Sequence, residues 1–197
     1  VGGGDVLAKS GYTAKNLRLA LAWRFAHKMK LVVSSMYGQI RDATRTEAAG
    51  RGQIRIYNDD DLFTSVSVYR RDPYVENGLR YARVAVFHHR LDDRIVRNRC
   101  EVVDGVARDV DACVDGVASE LKRVDNNTDR VDTLGAALRT RWVFLQDGQL
   151  LVDAGADSAW DRVESTATTS SGTAKSTFPP TASYLDAGGY LWTRLQL

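Results

Sequence analysis

The chain has 197 residues, of which 44% are hydrophobic and 26% charged, and its net charge is +2. It is long enough to bury a modest core, and no apolar run approaches the roughly 18 residues that suggest a membrane span, so no membrane span is expected. Residues 1–100 carry a net charge of +8 and residues 101–197 one of −6, which favours assembly or docking on an acidic partner.

The N-terminal region is predicted to form a flexible lead followed by a basic helix. Residues 1–12 include three successive glycines, and from Thr13 to Ala43 apolar residues recur in steps of three and four, which is typical of an amphipathic helix. Its polar faces could contact nucleic acid or lipid headgroups, although a solvated face of a helix packed on a sheet is the alternative. The candidates for basic contacts are Arg18, Arg24, Lys28 and Lys30.

Between Gly50 and Arg90 the hydrophobic period changes to two, which predicts an antiparallel meander of about three strands. Ile54 and Ile56 alternate with polar residues, and residues 58–61 read Asn-Asp-Asp-Asp, which predicts a turn. With the preceding helix, this meander would make an α+β anchoring lobe over residues 13–100.

The sequence contains few candidates for catalytic or metal-binding motifs. His88 and His89 precede Asp92 and Asp93, but adjacent residues on a strand point to opposite faces, so they do not predict a metal site. Residues 58–61 lack the ligand spacing of a calcium loop, and there is no phosphate-binding glycine loop or nucleophile elbow. We therefore expect no enzyme, no catalytic residue and no metal, with the histidines structural.

An aliphatic residue returns at every seventh position from Val103 to Leu138. Such a repeat predicts a coiled-coil helix over residues 101–140. The alternative is a single helix packed on its own domain, because Glu120 occupies a core position and glycines interrupt the segment. The predicted oligomer core comprises Val103, Val106, Val110, Val117, Val124, Val131, Leu134 and Leu138.

Within these heptads, Val124 falls at an a position, Asn127 at the following d position, and Thr128 comes next. This pattern resembles the V-x-x-N-T motif of trimeric coiled-coil stalks, found in trimeric autotransporter adhesins and in viral or phage fibres. The resemblance implies a parallel homotrimer in which Asn127, beside Thr128, surrounds an anion such as chloride in the core. No other cofactor is expected.

The remainder, residues 141–197, is predicted to be rich in β-structure. Trp142 to Leu145, an Asp-Gly turn at 147–148 and Leu150 to Val152 match a hairpin. Residues 165–177 are rich in Ser and Thr and predict a link. A turn at 187–189 and a terminal strand over 190–197 complete the chain. Two cysteines, Cys100 and Cys113, are too few for a disulfide framework and lack zinc-site spacing, so the redox compartment stays open.

The predicted fold class is thus α+β: an N-terminal helix plus antiparallel meander, a central coiled-coil helix and a β-rich C-terminal region. This architecture favours a non-enzymatic structural or attachment component of a viral or phage particle, such as a capsid, fibre or tail protein. It would be a homotrimer in contact with other structural proteins, in the virion or outside the cell. The alternative is a nucleic-acid- or protein-binding module in a capsid shell or ribonucleoprotein; the particle, host and ligand stay unidentified.

Overall fold

The chain folds into one seven-stranded antiparallel sheet whose strands lie side by side in sequence order. The computed structural model describes residues 11–45, 53–103, 106–107, 109–115, 117, 119, 121–144, 150–170, 172 and 181–195. The elements are β1 Thr13–Ala26, β2 Met29–Arg45, β3 Gln53–Arg71, β4 Gly78–Cys100, β5 Val102–Val103, β6 Val106–Ala107, α1 Val110–Val114, β7 Leu121–Phe144, β8 Leu150–Thr169 and β9 Thr181–Leu195. The sheet order is β1-β2-β3-β4-β7-β8-β9, and β5 and β6 form a separate small ladder.

The predicted N-terminal helix is wrong, because residues 13–43 form β1 and most of β2, paired as a hairpin. The misleading signal was a spacing of four, which returns to one face of a strand and to nearly one face of a helix. Leu17, Leu21 and Phe25 fit both periods. The apolar residues between them, Leu19 and Trp23, complete a period of two, which only a strand satisfies.

The predicted coiled coil is also wrong. Residues 103–138 lie in β5, β6, the five-residue α1 and most of β7. An odd spacing of seven places successive members on opposite faces of a strand, so the heptad valines do not form one seam. The β-branched valines favour an extended chain, and β7 gains ladder hydrogen bonds on both sides, from β4 and β8. The α+β class and the fibre architecture are therefore replaced by an almost wholly antiparallel β fold.

The predicted β features fare better. Residues 53–71 and 78–90 are antiparallel β-structure as predicted, but they lie in two long strands, β3 and β4, and not in about three. The hairpin is confirmed by the pairing of Val143 with Leu151, and residues 190–195 of the predicted terminal strand lie in β9. Two predicted turns are wrong, since residues 58–61 lie within β3 and residues 187–189 within β9. The turn at 147–148 and residues 1–10 of the predicted lead lie outside the described residues. The predicted link is wrong over residues 165–169, which lie in β8 and pair with β7, whereas residues 171 and 173–177 lie outside the described residues.

A small core sits at one corner of the sheet. Cys100 and Cys113 form a disulfide across 13 residues, which fastens α1 against β4. Together with Ile54 the two cysteines form a fully buried cluster, bordered by Ile56, Val114 and Leu121. Asn98 donates a 2.7 Å hydrogen bond to the Cys113 carbonyl, so the polar group beneath the helix is satisfied.

The two faces of the sheet differ in chemistry. Along each strand side chains alternate between the faces, and the pairing register lets residues be followed laterally across all seven strands as rows. We call the face carrying Ser65, Ala85 and Ala137 the groove face and the opposite one the outer face. The turn end is the end of the sheet with the β1–β2, β3–β4 and β7–β8 connections, and the loop end is the other.

Candidate functional site

The groove face contains a cavity of about 710 Å³ that is lined from all seven strands of the sheet. Its floor is formed by small side chains, including Ser34, Ser65, Ser67 and Ala85. Ser34 and Ser65 hydrogen bond to each other at 2.8 Å across β2 and β3. Small polar and apolar residues at the centre leave room for larger side chains to reach in from either end.

Two aromatic side chains on this face lie across glycines of a neighbouring strand. Phe87 on β4 pairs with Gly135 on β7, and Tyr190 on β9 pairs with Gly155 on β8. A Cβ at either glycine would overlap the facing ring. Glycine at both positions thus leaves the space that the facing ring occupies, and any larger residue would force the ring to move.

The turn end of the groove carries two basic rows. The first runs Lys30, Tyr69, Arg83, Arg139, Gly155 and Tyr190 across β2 to β9. The second runs Arg71, Tyr81, Arg141, Asp153 and Trp192 across β3 to β9. Cavities of about 930 and 490 Å³ adjoin these rows, and Arg24 lines the larger one.

The two basic rows carry five cations and one carboxylate, that of Asp153. Arg24, which lines the adjoining cavity, is a sixth cation. Asp153 is paired with Arg141 through contacts of 2.7 and 3.0 Å. Two further arginines lie over tyrosine rings, with the Arg83 guanidinium carbon 5.2 Å from the Tyr69 ring centre and that of Arg139 6.0 Å from Tyr190. Within the described part of the chain, no carboxylate is paired with Arg24, Lys30, Arg71, Arg83 or Arg139.

A row of carboxylates crosses the same face nearer the loop end. Asp59, Asp93 and Asp129 lie side by side on β3, β4 and β7, and Ser165 on β8 hydrogen bonds to Asp129. Burial, followed by the neighbouring Asp59 and Asp129 carboxylates, raises the pKa of Asp93 from 3.8 to about 6. Adjacent like charges in a partly dry site favour the protonated form of one of them.

The outer face bears an apolar band. One row consists of Trp23, Leu31, Val68, Val84, Leu138, Ala156 and Gly189, and the next of Leu21, Val33, Val66, Val86, Ala136, Ser158 and Ala187. Neither row contains a charged residue, although Arg70 and His88 lie in the rows on either side. Several of these side chains are largely exposed, since Leu21 is 70% exposed, Trp23 60% and Val84 53%.

Toward the loop end the apolar band gives way, over two mixed rows, to polar residues. Six residues along β4 from Val86, the outer-face row reads Lys15, Gln39, Asp60, Asp92, Arg130, Glu164 and Thr181, all polar. Asp92 bridges Arg90 and Arg130 at 2.7 and 2.6 Å. Aromatic pairs lie near the turn end, with the Trp23 and Phe25 ring centres 5.7 Å apart and those of Trp142 and Phe144 6.2 Å apart.

The structure separates most of the residues predicted as sites. Asn127 and Thr128 are consecutive on β7 and therefore point to opposite faces, with Asn127 in the row of Ile95 and Ala167. Of the predicted oligomer core, Val103 is in β5, Val106 in β6, Val110 in α1 and Val117 between α1 and β7. The rest lie on β7, with Val131 on the groove face and Val124, Leu134 and Leu138 on the outer face.

The predicted basic contacts stay close together, on strands instead of a helix. Arg18, Arg24 and Lys30 share the groove face, and Lys28 in the β1–β2 turn forms a 2.5 Å ion pair with Asp72. The partners of Lys30, Arg83 and Arg139, were not predicted. Arg83 lies 53 residues and Arg139 109 residues after Lys30, so there is no local signal, and only the strand register brings the three into one row.

The histidines face opposite sides, as alternation predicts. His88 contacts Asp132 at 3.3 Å on the outer face, and His89 contacts Asp61 at 2.8 Å on the groove face. No cluster of three metal-ligating side chains occurs in the described ranges. In those ranges there is also no helix with the length and apolarity needed to cross a membrane.

Comparison with known proteins gives no relative: no family model matches the chain, and no curated protein or solved structure is significantly similar to it.

Proposed function

We propose that the chain is a non-enzymatic membrane component whose outer face lies against lipid acyl chains while its polar groove face is turned away from them. The observation that carries this proposal is the exposed apolar band, which crosses all seven strands. In a water-soluble antiparallel sheet the apolar face packs on a core and the polar face is exposed to solvent. Here the exposed outer face is apolar, and the charged side chains lie on the groove face.

The dimensions of the band support lipid as its occupant. On β7, β8 and β9 the outer-face residues run from Phe144 to Leu134, Leu150 to Trp160 and Leu195 to Leu185. Ten residue steps at roughly 3.3 Å span about 33 Å of strand. A strand tilted by roughly 45° needs about 9–11 residues to cross a hydrocarbon layer, so the band has the height of one layer.

The margins of the band support the same occupant. Trp142 and Phe144 lie near the turn end and Trp160 toward the loop end, and aromatic side chains favour the boundary between hydrocarbon and water. Beyond the loop-end margin the all-polar row begins, with its Arg90, Asp92 and Arg130 network. No membrane span was expected because the sequence has no continuous apolar run. A strand in which apolar and polar residues alternate can present an apolar face to lipid without such a run.

A second copy of the chain is the competing occupant. Six strand spacings of about 4.8 Å and a height of up to about 33 Å give the band an upper limit of roughly 1,000 Å², about the area that each partner contributes to a stable dimer. Lipid is favoured because the outer-face apolar residues of β7, β8 and β9 begin in the Phe144 row and end in the Leu134 row on all three strands, whereas a protein partner needs local complementarity.

The Cys100–Cys113 disulfide supports a location outside the cytosol, since disulfides persist in oxidising compartments. This is consistent with the predicted extracellular location, which stays a prediction. The viral structural role and the homotrimer also stay predictions, now without the coiled coil on which they depended. The alternative of a nucleic-acid- or protein-binding module keeps the basic groove as its basis.

The four tryptophans provide the test. Trp23, Trp142 and Trp160 lie on the outer face, whereas Trp192 lies on the groove face. Four variants, each retaining one tryptophan with the others replaced by Phe, would be reconstituted into vesicles with and without brominated acyl chains. We expect strong fluorescence quenching of the three outer tryptophans by brominated lipid.

Trp142 and Trp192 form the matched pair, because they lie in neighbouring rows near the turn end but on opposite faces. We expect brominated lipid to quench Trp142 and to leave Trp192 largely unaffected. Equal quenching of the two, or quenching of neither, would overturn the proposal. A stable dimer in detergent-free buffer whose outer tryptophans are insensitive to brominated lipid would assign the band to a second copy.

A further inference from the structure

We infer that the basic rows at the turn end of the groove form a binding site for a multiply charged oxyanion of the phosphate class. Lys30, Arg83 and Arg139 lie in one row on β2, β4 and β7. Arg71 and Arg141 follow in the next row. Arg24 lines the cavity of about 930 Å³ that Lys30 and Arg71 also line. The site lies on the face opposite the apolar band, so it does not depend on the lipid proposal.

The charge balance of the site calls for an anion. Neighbouring strands are about 4.8 Å apart, so cations in adjacent positions of a row repel one another unless countercharge is present. Asp153 supplies one carboxylate, and Arg141 already binds it through two contacts. Some arginines elsewhere on the sheet are matched, as Arg41 is with Asp60 and Arg130 with Asp92. The two rows at the turn end combine five cations with one carboxylate, which Arg141 already binds.

The geometry suits a phosphate group better than a small halide. Arginine presents a planar fork of donors that matches the paired oxygens of phosphate or carboxylate. Tyr69 and Tyr190 hold the guanidinium groups of Arg83 and Arg139 over their rings, which orders the forks before an anion arrives. Gly155 contributes by letting Tyr190 lie across β8. The cavities of about 710 and 930 Å³ accommodate a solute larger than one phosphate.

Titration calorimetry with pyrophosphate tests the inference on the detergent-solubilised full chain. We expect saturable binding near a ratio of one, weakened at least about tenfold by Arg83→Gln and by Arg139→Gln, since each loses a charge-assisted pair. The matched control is Arg97→Gln, an arginine on the same face some 14 residues further along β4. It should bind pyrophosphate like the unaltered chain.

Three controls make the outcome decisive. The disulfide and the circular dichroism spectrum of each variant check that the sheet has formed. Vesicles containing phosphatidylglycerol, added together with pyrophosphate, distinguish a lipid phosphate from a soluble one. If these vesicles displace pyrophosphate, the bound phosphate belongs to a lipid headgroup. Absence of saturable binding, or equal loss in Arg97→Gln, would overturn the inference. If tryptophan quenching succeeds in the same preparation, that failure leaves the lipid proposal standing.

Discussion

Individual side chains on this sheet acquire their properties from residues on neighbouring strands. Asp92 and Asp93 are adjacent in sequence but face opposite sides, and their ionisation differs accordingly. Burial raises the pKa of Asp92, but the hydrogen bonds from Arg90 and Arg130 lower it by more than burial raises it, so the pKa lies below the ordinary value. For Asp93, burial and the Asp59 carboxylate act in the same direction and raise the pKa to about 6.

This difference predicts opposite effects of two neighbouring substitutions. Because the pKa of Asp93 rises from 3.8 to about 6 on folding, the folded protein loses stability as pH rises through this window. Asp93→Asn should raise the free energy of unfolding by on the order of 1 kcal/mol at pH 8, less than full linkage because the group is partly solvated, and have little effect at pH 4. Thermal melts at both pH values measure this.

Asp92→Asn is the control for that experiment. Its lowered pKa means that the ionised form stabilises the fold, so this substitution should lower the melting temperature at pH 8. A stabilised Asp92→Asn variant, or an Asp93→Asn variant destabilised at pH 8, would contradict the assignment of the carboxylate row.

The Phe87–Gly135 pair gives a second prediction at this scale. Gly135→Ala places a Cβ inside the Phe87 ring and should cost roughly 1–3 kcal/mol, as overpacking does. In a Phe87→Ala background the same change should cost much less, which a double-mutant cycle in denaturant would measure. Gly188→Ala is the control, because its Cβ meets only Asp157 oxygens at 3.9 Å. Additive effects of the Phe87 and Gly135 changes would contradict the contact.

At the scale of elements, α1 depends on its covalent link to the sheet. A helix of five residues is far below the length at which helices are stable alone. The disulfide and the Ile54 cluster hold it in place. This corner therefore combines a weak element with a covalent constraint, unlike the long strands beside it.

Replacing both cysteines by Ala should lower the free energy of unfolding by roughly 2–3 kcal/mol, as expected for a closed loop of this length. The measurement is a denaturant melt with and without reductant. Reductant should destabilise the unaltered chain and have no effect on the double variant. A reductant-insensitive melt of the unaltered chain would show that the disulfide does not constrain the fold.

For the whole molecule, the decisive property is which face meets which environment. Ala136 and Ala137 are consecutive on β7, with Ala136 in the apolar band and Ala137 beside Asp157 on the groove face. Arg at position 136 would have to enter acyl chains, whereas Arg at 137 lies next to a carboxylate. The pair therefore tests the orientation of the entire sheet.

Ala136→Arg should destabilise the vesicle-bound protein by roughly 1–2 kcal/mol, less than the cost of Arg at the midplane because Ala136 lies toward the loop-end margin of the band. Ala137→Arg should cost much less. Urea titrations in vesicles, followed by tryptophan emission, would compare them. A larger cost for Ala137→Arg than for Ala136→Arg would reverse the assignment of the two faces.

The sequence alone determined where much of the β-structure lies, since the period of two in residues 50–90, the β7–β8 hairpin and the terminal strand were all readable. It also gave Arg24 and Lys30 as candidate basic contacts, and both line one cavity in the structure. Tertiary structure decided the state of residues 13–43 and of the heptads, because a spacing of four fits strand and helix alike and ladder pairing settled the choice. It also brought Arg83 and Arg139 beside Lys30 and assembled the apolar band, since lateral neighbours in a sheet are set by register between strands distant in sequence.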